Sequence, residues 1–230
     1  MTMKKQDLPV VAGIVVILLA CALTPNFLDR FIAVTKGYPY LSSFVKFALL
    51  STFGECLGLR VTAGVWNRPG FGVLPRAVVW GILGMGIKMA FTVYSTGVPN
   101  FLVEIGLLGG AGAGGFGESL IRAFFISMIM NFTWAPFFMT LHKVTDLHIT
   151  KTGGTLKGFF TNPITVGQNL SEINWQSLWG FVFKKTLPLF WVPAHTITFM
   201  LPPYFQVLFA AALGVVLGLL LALASMKQPK

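Results

Sequence analysis

Apolar residues fill six long blocks of this chain, at 8–28, 40–66, 75–98, 120–142, 187–201 and 204–226. Within each block they run continuously rather than alternately. That pattern predicts helices and not the strands of a barrel. All but the block at 187–201 reach the ~20 residues a helix needs to cross a ~30 Å hydrocarbon core. A bilayer admits only structures whose backbone groups are satisfied internally. The expected fold is therefore all-α, a polytopic transmembrane helix bundle of about six spans forming one domain.

The intervals between blocks refine this picture. The fifth block is short and holds Pro188 and Pro193, with Lys184-Lys185 before it and Pro202-Pro203 after it. A proline lacks the N–H of a helical bond and crowds the carbonyl four residues earlier, so this span is expected to be broken. Residues 143–186 read as an inner-side loop that ends in an interfacial helix near 174–185, with Trp175 and Trp179 at headgroup level. The GLLGGAGAGGFG run at 106–117 lacks the lysine and spacing of a phosphate loop. It reads as a flexible or re-entrant connection.

The first block follows Lys4 and Lys5 and so opens like a secretory signal. Leu18-Leu19-Ala20-Cys21 resembles a lipoprotein cleavage site. Asp7 and the length of the run favour an uncleaved span, and cleavage would leave five.

Composition agrees with a membrane as the solvent. The 230 residues are 55% hydrophobic and only 10% charged, against roughly 25% in soluble proteins. The net charge of +10 lies mostly in the intervals, so it is assigned to topology and to contact with anionic lipids. With the N-terminus inside, twelve of the 17 lysines and arginines fall at inner segments. Only Arg30 and Lys36 fall outside. Both termini are thus expected on the cytoplasmic side. No basic, aromatic-interleaved surface for nucleic acid is present. Cys21 and Cys56 have no metal or redox spacing.

Polar groups inside the blocks are the candidate functional residues, because each costs on the order of 3 kcal/mol at mid-bilayer. Glu55 lies roughly 16 Å from Trp66, and Lys88 roughly 20 Å from Pro75, at 1.5 Å per residue. An ion pair between them is expected, with Arg60 as a competitor. Lys88 shares a face with Ala77, Gly81 and Gly84. Gly54 and Gly58 form a G-x-x-x-G pair suited to close helix contact. In the fourth block Ser127, Asn131, Trp134 or Ala135, Phe138 and His142 line one face. In the fifth, Trp191, His195 and Thr198 do so. His195 reads either as a satisfied core group or as a pore-lining one. No serine–histidine–acid set, histidine pair or cofactor motif appears, so no enzyme, cofactor or metal is expected.

The order of several motifs resembles the Mpv-seventeen or twenty-two-kilodalton peroxisomal membrane protein family. Trp191, His195, Phe199 and Pro203 resemble its W-x-x-x-Q-x-x-N-F-x-x-x-P signature. Gly54-Glu55 is similar to its early Gly-Asp pair, and Arg76, Gly84 and Gly86 to its R-x7-G-x-G segment. Asn131 with Ala135-Pro136 resembles its Q-x-x-x-A-P element. His195 and Thr198 replace the expected glutamine and asparagine. Val207 stands where an arginine is expected, and the first span is additional to the usual four. The resemblance implies an integral membrane protein of a bacterial inner membrane, or of a mitochondrial inner or peroxisomal membrane. It also implies a channel or a role in metabolite balance. The carried-over positions are Glu55, Arg76, Asn131, Trp191, His195 and Phe199.

The functional expectation is a small channel or carrier for polar or anionic solutes. Alternatives are a non-transporting scaffold and an intramembrane lipid enzyme. The expected partners are the bilayer, a small solute and a second copy of the chain.

Overall fold

A computed structural model describes residues 4–109 and 115–226. Lys227, Lys230 and the glycines of 110–114 lie outside the described residues. Every regular element among those described is helical. In order they are α1 (Leu8–Leu23), α2 (Phe27–Gly37), α3 (Pro39–Ala63), α4 (Val73–Glu104) and α5 (Phe116–Lys151). Short helices α6 (Leu156–Thr161), α7 (Val166–Glu172) and α8 (Trp175–Ser177) follow. A π-helical segment (Leu178–Trp191), α9 (Val192–Met200) and α10 (Pro203–Met226) complete the chain.

Four helices are long and apolar enough to cross a membrane: Lys5–Leu23, Val73–Glu104, Phe116–Lys151 and Pro203–Leu220. Helix α3 has the length, with 25 residues, but it carries Lys46, Glu55 and Arg60. The expected fifth span is not a separate helix. The predicted interfacial helix runs without interruption through the π segment into α9. Wide π turns move the hydrogen-bond partner back by one residue, which relieves the clash at Pro188. The Val192 N–H accordingly donates to the Leu187 carbonyl, five residues back.

Two block boundaries shift and one helix is added. Helix α1 stops at Leu23, where Thr24 leaves helical geometry, and Asn26 adopts a left-handed φ of 52° ahead of α2. Helix α2 was not expected from the apolar pattern. Helix α5 continues nine residues beyond His142, through what reads as the start of a polar loop. Cys21 and Cys56 are free and half-buried.

The core forms where α3, α4, α5 and α10 meet, with Phe47, Ala90, Phe91, Met130, Val207, Ala210 and Ala211 buried together. Helix α10 therefore packs inward over its first half. It lies against α3 through glycines on both helices. A Cβ on Gly54 would sit 3.1 Å from the Val215 Cα, and one on Gly218 would sit 3.4 Å from the Gly54 carbonyl oxygen. The G-x-x-x-G pair thus meets a second one, Gly214 and Gly218, backbone to backbone. On the other side of α3, Phe47 fills the notch left by Gly84, where a Cβ would lie 2.5 Å from the Phe47 Cβ.

Gly84→Ala is therefore expected to destabilise the bundle. Overpacking costs about 1–3 kcal/mol and outweighs the ~1 kcal/mol gained in helix propensity. Gly58→Ala meets nothing nearer than 4.0 Å and is expected to leave stability unchanged or raised. Paired thermal melts of the two variants check this.

Helix α1 has no buried residue. It is held at its start. Asp7 accepts two bonds from Arg60 at 2.6 Å and one from the Trp66 indole at 2.7 Å. Lys4 and Gln6 donate to the Gly64 carbonyl. At the opposite end α2 covers the tops of α3 and α10. Phe31 stacks on Phe205, and Lys46 lies over the Phe31 ring and donates to Thr35.

Candidate functional site

A cavity of about 490 Å³ lies inside the bundle. Its walls come from α3, α4, α5, the π segment, α9 and α10. Its open end is ringed by Thr62, Phe71, Arg76, Lys143 and Asp146, and its closed end by Phe91, Asn131 and His195. Lengthwise, Asn131 is eleven residues before His142 on α5, or about 16 Å. The cavity is therefore deep relative to its width.

The mouth holds a charged cluster. Arg76 binds Glu55 through Nη1 and reaches Asp146 with the same nitrogen at 2.6 Å, while its Nε donates to the Phe71 carbonyl at 2.7 Å. The Trp80 indole donates to Glu55 Oε1 at 2.8 Å. His142 Nε2 lies 3.2 Å from the same oxygen and 3.6 Å from Asp146 Oδ1. Lys143 approaches Asp146 at 3.8 Å. Two carboxylates thus face Arg76 and Lys143, with His142 against both acids. Helical spacing builds it. Arg76 and Trp80 are one turn apart on α4, as His142 and Asp146 are on α5.

Glu55, His142 and Asp146 each offer one donor atom within 4.8 Å of the others, the kind of set that holds a metal ion. Here Arg76 already lies against both carboxylates. The chain itself supplies the positive charge between them.

The expected Glu55–Lys88 pair is not formed. Helix α3 ends at Ala63, so Glu55 is about 12 Å from that end, level with Trp80 on α4. Lys88 is two turns further along α4 and turned by ~80°. Its ammonium makes no hydrogen bond or ion pair to another described residue, and it does not line the cavity. Arg60 does not compete for Glu55, because it binds Asp7.

The closed end is polar but uncharged. Asn131 Nδ2 donates to the Ser127 carbonyl at 2.8 Å, which fixes the orientation of the amide. The same group lies 3.1 Å from His195 Nδ1. Donation there makes Nδ1 an acceptor and leaves the imidazole proton on Nε2. His195 also stacks on Trp191 at 5.0 Å and meets the edge of Phe91. Ser127 ties α5 to α9 by donating to the Val192 carbonyl. Thr198 lies off the cavity, fully buried, and donates to the Ala194 carbonyl of its own helix.

Beyond the closed end the packing is apolar. Phe199 lies 4.9 Å from Phe91. A further layer of Val98, Leu102, Leu108 and Ile126 seals the space.

Of the expected residues, Glu55, Arg76, Asn131, Trp191 and His195 line one cavity, whereas Lys88, Arg60 and Thr198 do not. Sequence reasoning missed Trp80 as a partner of Glu55 and Asp146 as a partner of Arg76. His142 and Asp146, four apart and in phase with Asn131 and Phe138, carried the signal. It was hidden by reading residues after 142 as a loop.

Fold and site together define a class: an all-α, membrane-embedded protein with an internal cavity charged at its mouth. Comparison with protein-family models, curated proteins and solved structures finds no match to this chain.

Proposed function

We propose that this protein is a small-solute carrier or gated channel, in a form open to one side of the membrane. The observation that carries the reading is the cavity itself. It enters from a charged mouth, runs about 16 Å along α5 and stops at an aromatic and aliphatic seal. Helices packed only for structure would close on such a space, since protein interiors hold few voids larger than a water. That favours transport over the scaffold reading. The lipid enzyme is the second reading, supported by His142 between Glu55 and Asp146 at the edge of an apolar space.

The motif resemblance fits the same proposal. Five of its carried-over positions line the cavity and the sixth, Phe199, backs its closed end. The proposed topology has six spans, with α3 and the π segment plus α9 added to the four apolar helices. Charged α3 is then shielded by its neighbours. Lys4, Lys5, Arg60, Arg68, Arg76, Lys143 and Lys151 gather at the mouth end, and Arg30, Lys36, Lys46 and Arg122 lie at the other. The positive-inside rule then makes the mouth cytoplasmic. A bacterial inner membrane is the proposed site.

Purified protein in liposomes, assayed for flux of small polyols, sugars, anions and uncharged hydroxyl-bearing aromatics, tests the reading. Thr62 is exposed on the rim, so Thr62→Trp is expected to cut flux at least ten-fold while leaving the melting temperature unchanged. Absence of any wild-type flux across varied pH and voltage would remove the transport proposal. Release of fatty acid from bilayer lipid by the wild type, lost in His142→Gln, would move it to the enzyme reading.

A further inference from the structure

Four polar residues surround the closed end of the cavity, and three of them have an orphaned atom. Asn131 Oδ1, Trp134 Nε1 and Trp191 Nε1 are buried and have no hydrogen-bond partner among the described residues. All three residues line the same cavity. Asn131 is 1% exposed and Trp191 8%. Such atoms are rare in folded proteins, because an unpaired buried donor or acceptor forfeits its hydration. The third indole on the wall, Trp80, shows the ordinary outcome, since it donates to Glu55. As the side chains stand these three atoms are shielded from the cavity as well, so a ligand in the space reaches them through a shift of the side chains that bear them.

The chemistry of the orphans defines the occupant. The two indoles can only donate, and Asn131 Oδ1 can only accept. His195 adds a fourth group, an Nε2–H donor, because its Nδ1 faces the Asn131 amide nitrogen. None of these groups carries a charge. Every aspartate, glutamate, lysine and arginine lining the cavity belongs to the cluster at the mouth, about 16 Å away, where opposite charges already face one another. An anion at the closed end would find no cation, and a cation no carboxylate. The remaining wall is apolar: Phe47, Ala90, Phe91, Met130 and Ala210 are among its residues. A cavity of about 490 Å³ falls in the range that takes small organic ligands.

We propose that the closed end of this cavity is a binding site for an uncharged molecule with an apolar body and a hydroxyl or carbonyl head group. The head group accepts from the Trp134 and Trp191 indoles and from His195 Nε2, and a hydroxyl donates to Asn131 Oδ1. The apolar body lies along the wall toward the mouth. This names the class of solute for the proposed carrier and rests on that reading for the solute's passage; binding is tested apart from passage.

The test uses the full chain in nanodiscs, with empty nanodiscs subtracted for bilayer partitioning. Three probes share one ring system: 2-naphthol with a neutral hydroxyl, 2-naphthoate with a charge, and naphthalene with no head group. The expected result is saturable, one-to-one binding of 2-naphthol, with the other two at least ten-fold weaker. Trp134→Phe with Trp191→Phe keeps both aromatic surfaces and removes only the N–H groups. This double variant is expected to weaken 2-naphthol at least ten-fold and to leave naphthalene unchanged. Asn131→Leu is expected to act in the same direction. Should Asn131→Leu fail to fold, the double tryptophan variant decides. Unchanged 2-naphthol affinity in the double variant, or 2-naphthoate binding as tightly as 2-naphthol, overturns the site. Head-group-dependent binding without flux keeps the site and removes the transport reading. Flux without such binding removes the site alone.

Discussion

Replacing Arg76 with methionine is expected to lower the free energy of unfolding by about 3 kcal/mol. Removing one partner of a buried ion pair costs about 3–5 kcal/mol, because the other charge is left without compensation. The lower end applies because Glu55 and Asp146 keep 20% and 19% of their side-chain surface. Two carboxylates are stranded rather than one, and Trp80 and His142 hold Glu55 where it is. Arg76→Lys is expected to recover only part of the loss, since one ammonium cannot meet both acids and the Phe71 carbonyl as a guanidinium does. Denaturant titration of the variants in micelles measures this. Glu55→Gln combined with Arg76→Met gives a sharper reading, because residues in one ion-pair network couple by about 0.5–3 kcal/mol. If the double variant is less stable than the sum of the singles, Arg76 does not owe its place to Glu55.

The second large effect is expected at Leu102, which is fully buried in the seal beyond the cavity. Leu102→Ala should cost about 2–5 kcal/mol, the usual range for a buried leucine cut to alanine. It should also raise passive leak through liposomes at least ten-fold, because the seal is one apolar layer backed by Phe199. Leu102→Met conserves volume and should cost under about 1.5 kcal/mol with no added leak. A stability loss without any leak would mean that the solute's route does not pass this layer.

The sequence carried much of this arrangement and left out its azimuths. Continuous apolar blocks announced the long helices, and Gly54 with Gly58 announced a close crossing. The shared face of Asn131 and His142 on one helix was visible from a period of 3.6 residues. What periodicity does not carry is the rotation of one helix against the next. Glu55 and Lys88 seemed level because their depths were counted from Trp66 and Pro75. The true helix end at Ala63 moves Glu55 toward Arg76, and a turn of about 80° takes Lys88 off the shared face. Apolar continuity also has no way to mark a polar helix that outruns the hydrocarbon, so Asp146 read as loop. Asp7 seemed notable only as a charge out of place in a leader. Its partner, Arg60, is 53 residues away, and no local pattern links the two.

The uneven lengths of the helices have a consequence for the surrounding lipid. Helix α1 with the 3₁₀ turn that leads into it, Lys5–Leu23, spans 19 residues and reaches about 30 Å, whereas α4 and α5, of 32 and 36 residues, reach about 48 and 54 Å. A hydrocarbon core of ~30 Å matches the first and is too thin for the others if all stand upright. The long helices can tilt or project. The short one is fastened at its base by Asp7 and continues into α2 at its top, so it cannot slide to find its own depth. Lipid beside α1 therefore fits it at about that thickness, and each ångström of mismatch in either direction carries a fraction of a kcal/mol. The melting temperature is expected to be highest in bilayers whose hydrocarbon core is about 30 Å thick and to fall in thicker or thinner ones.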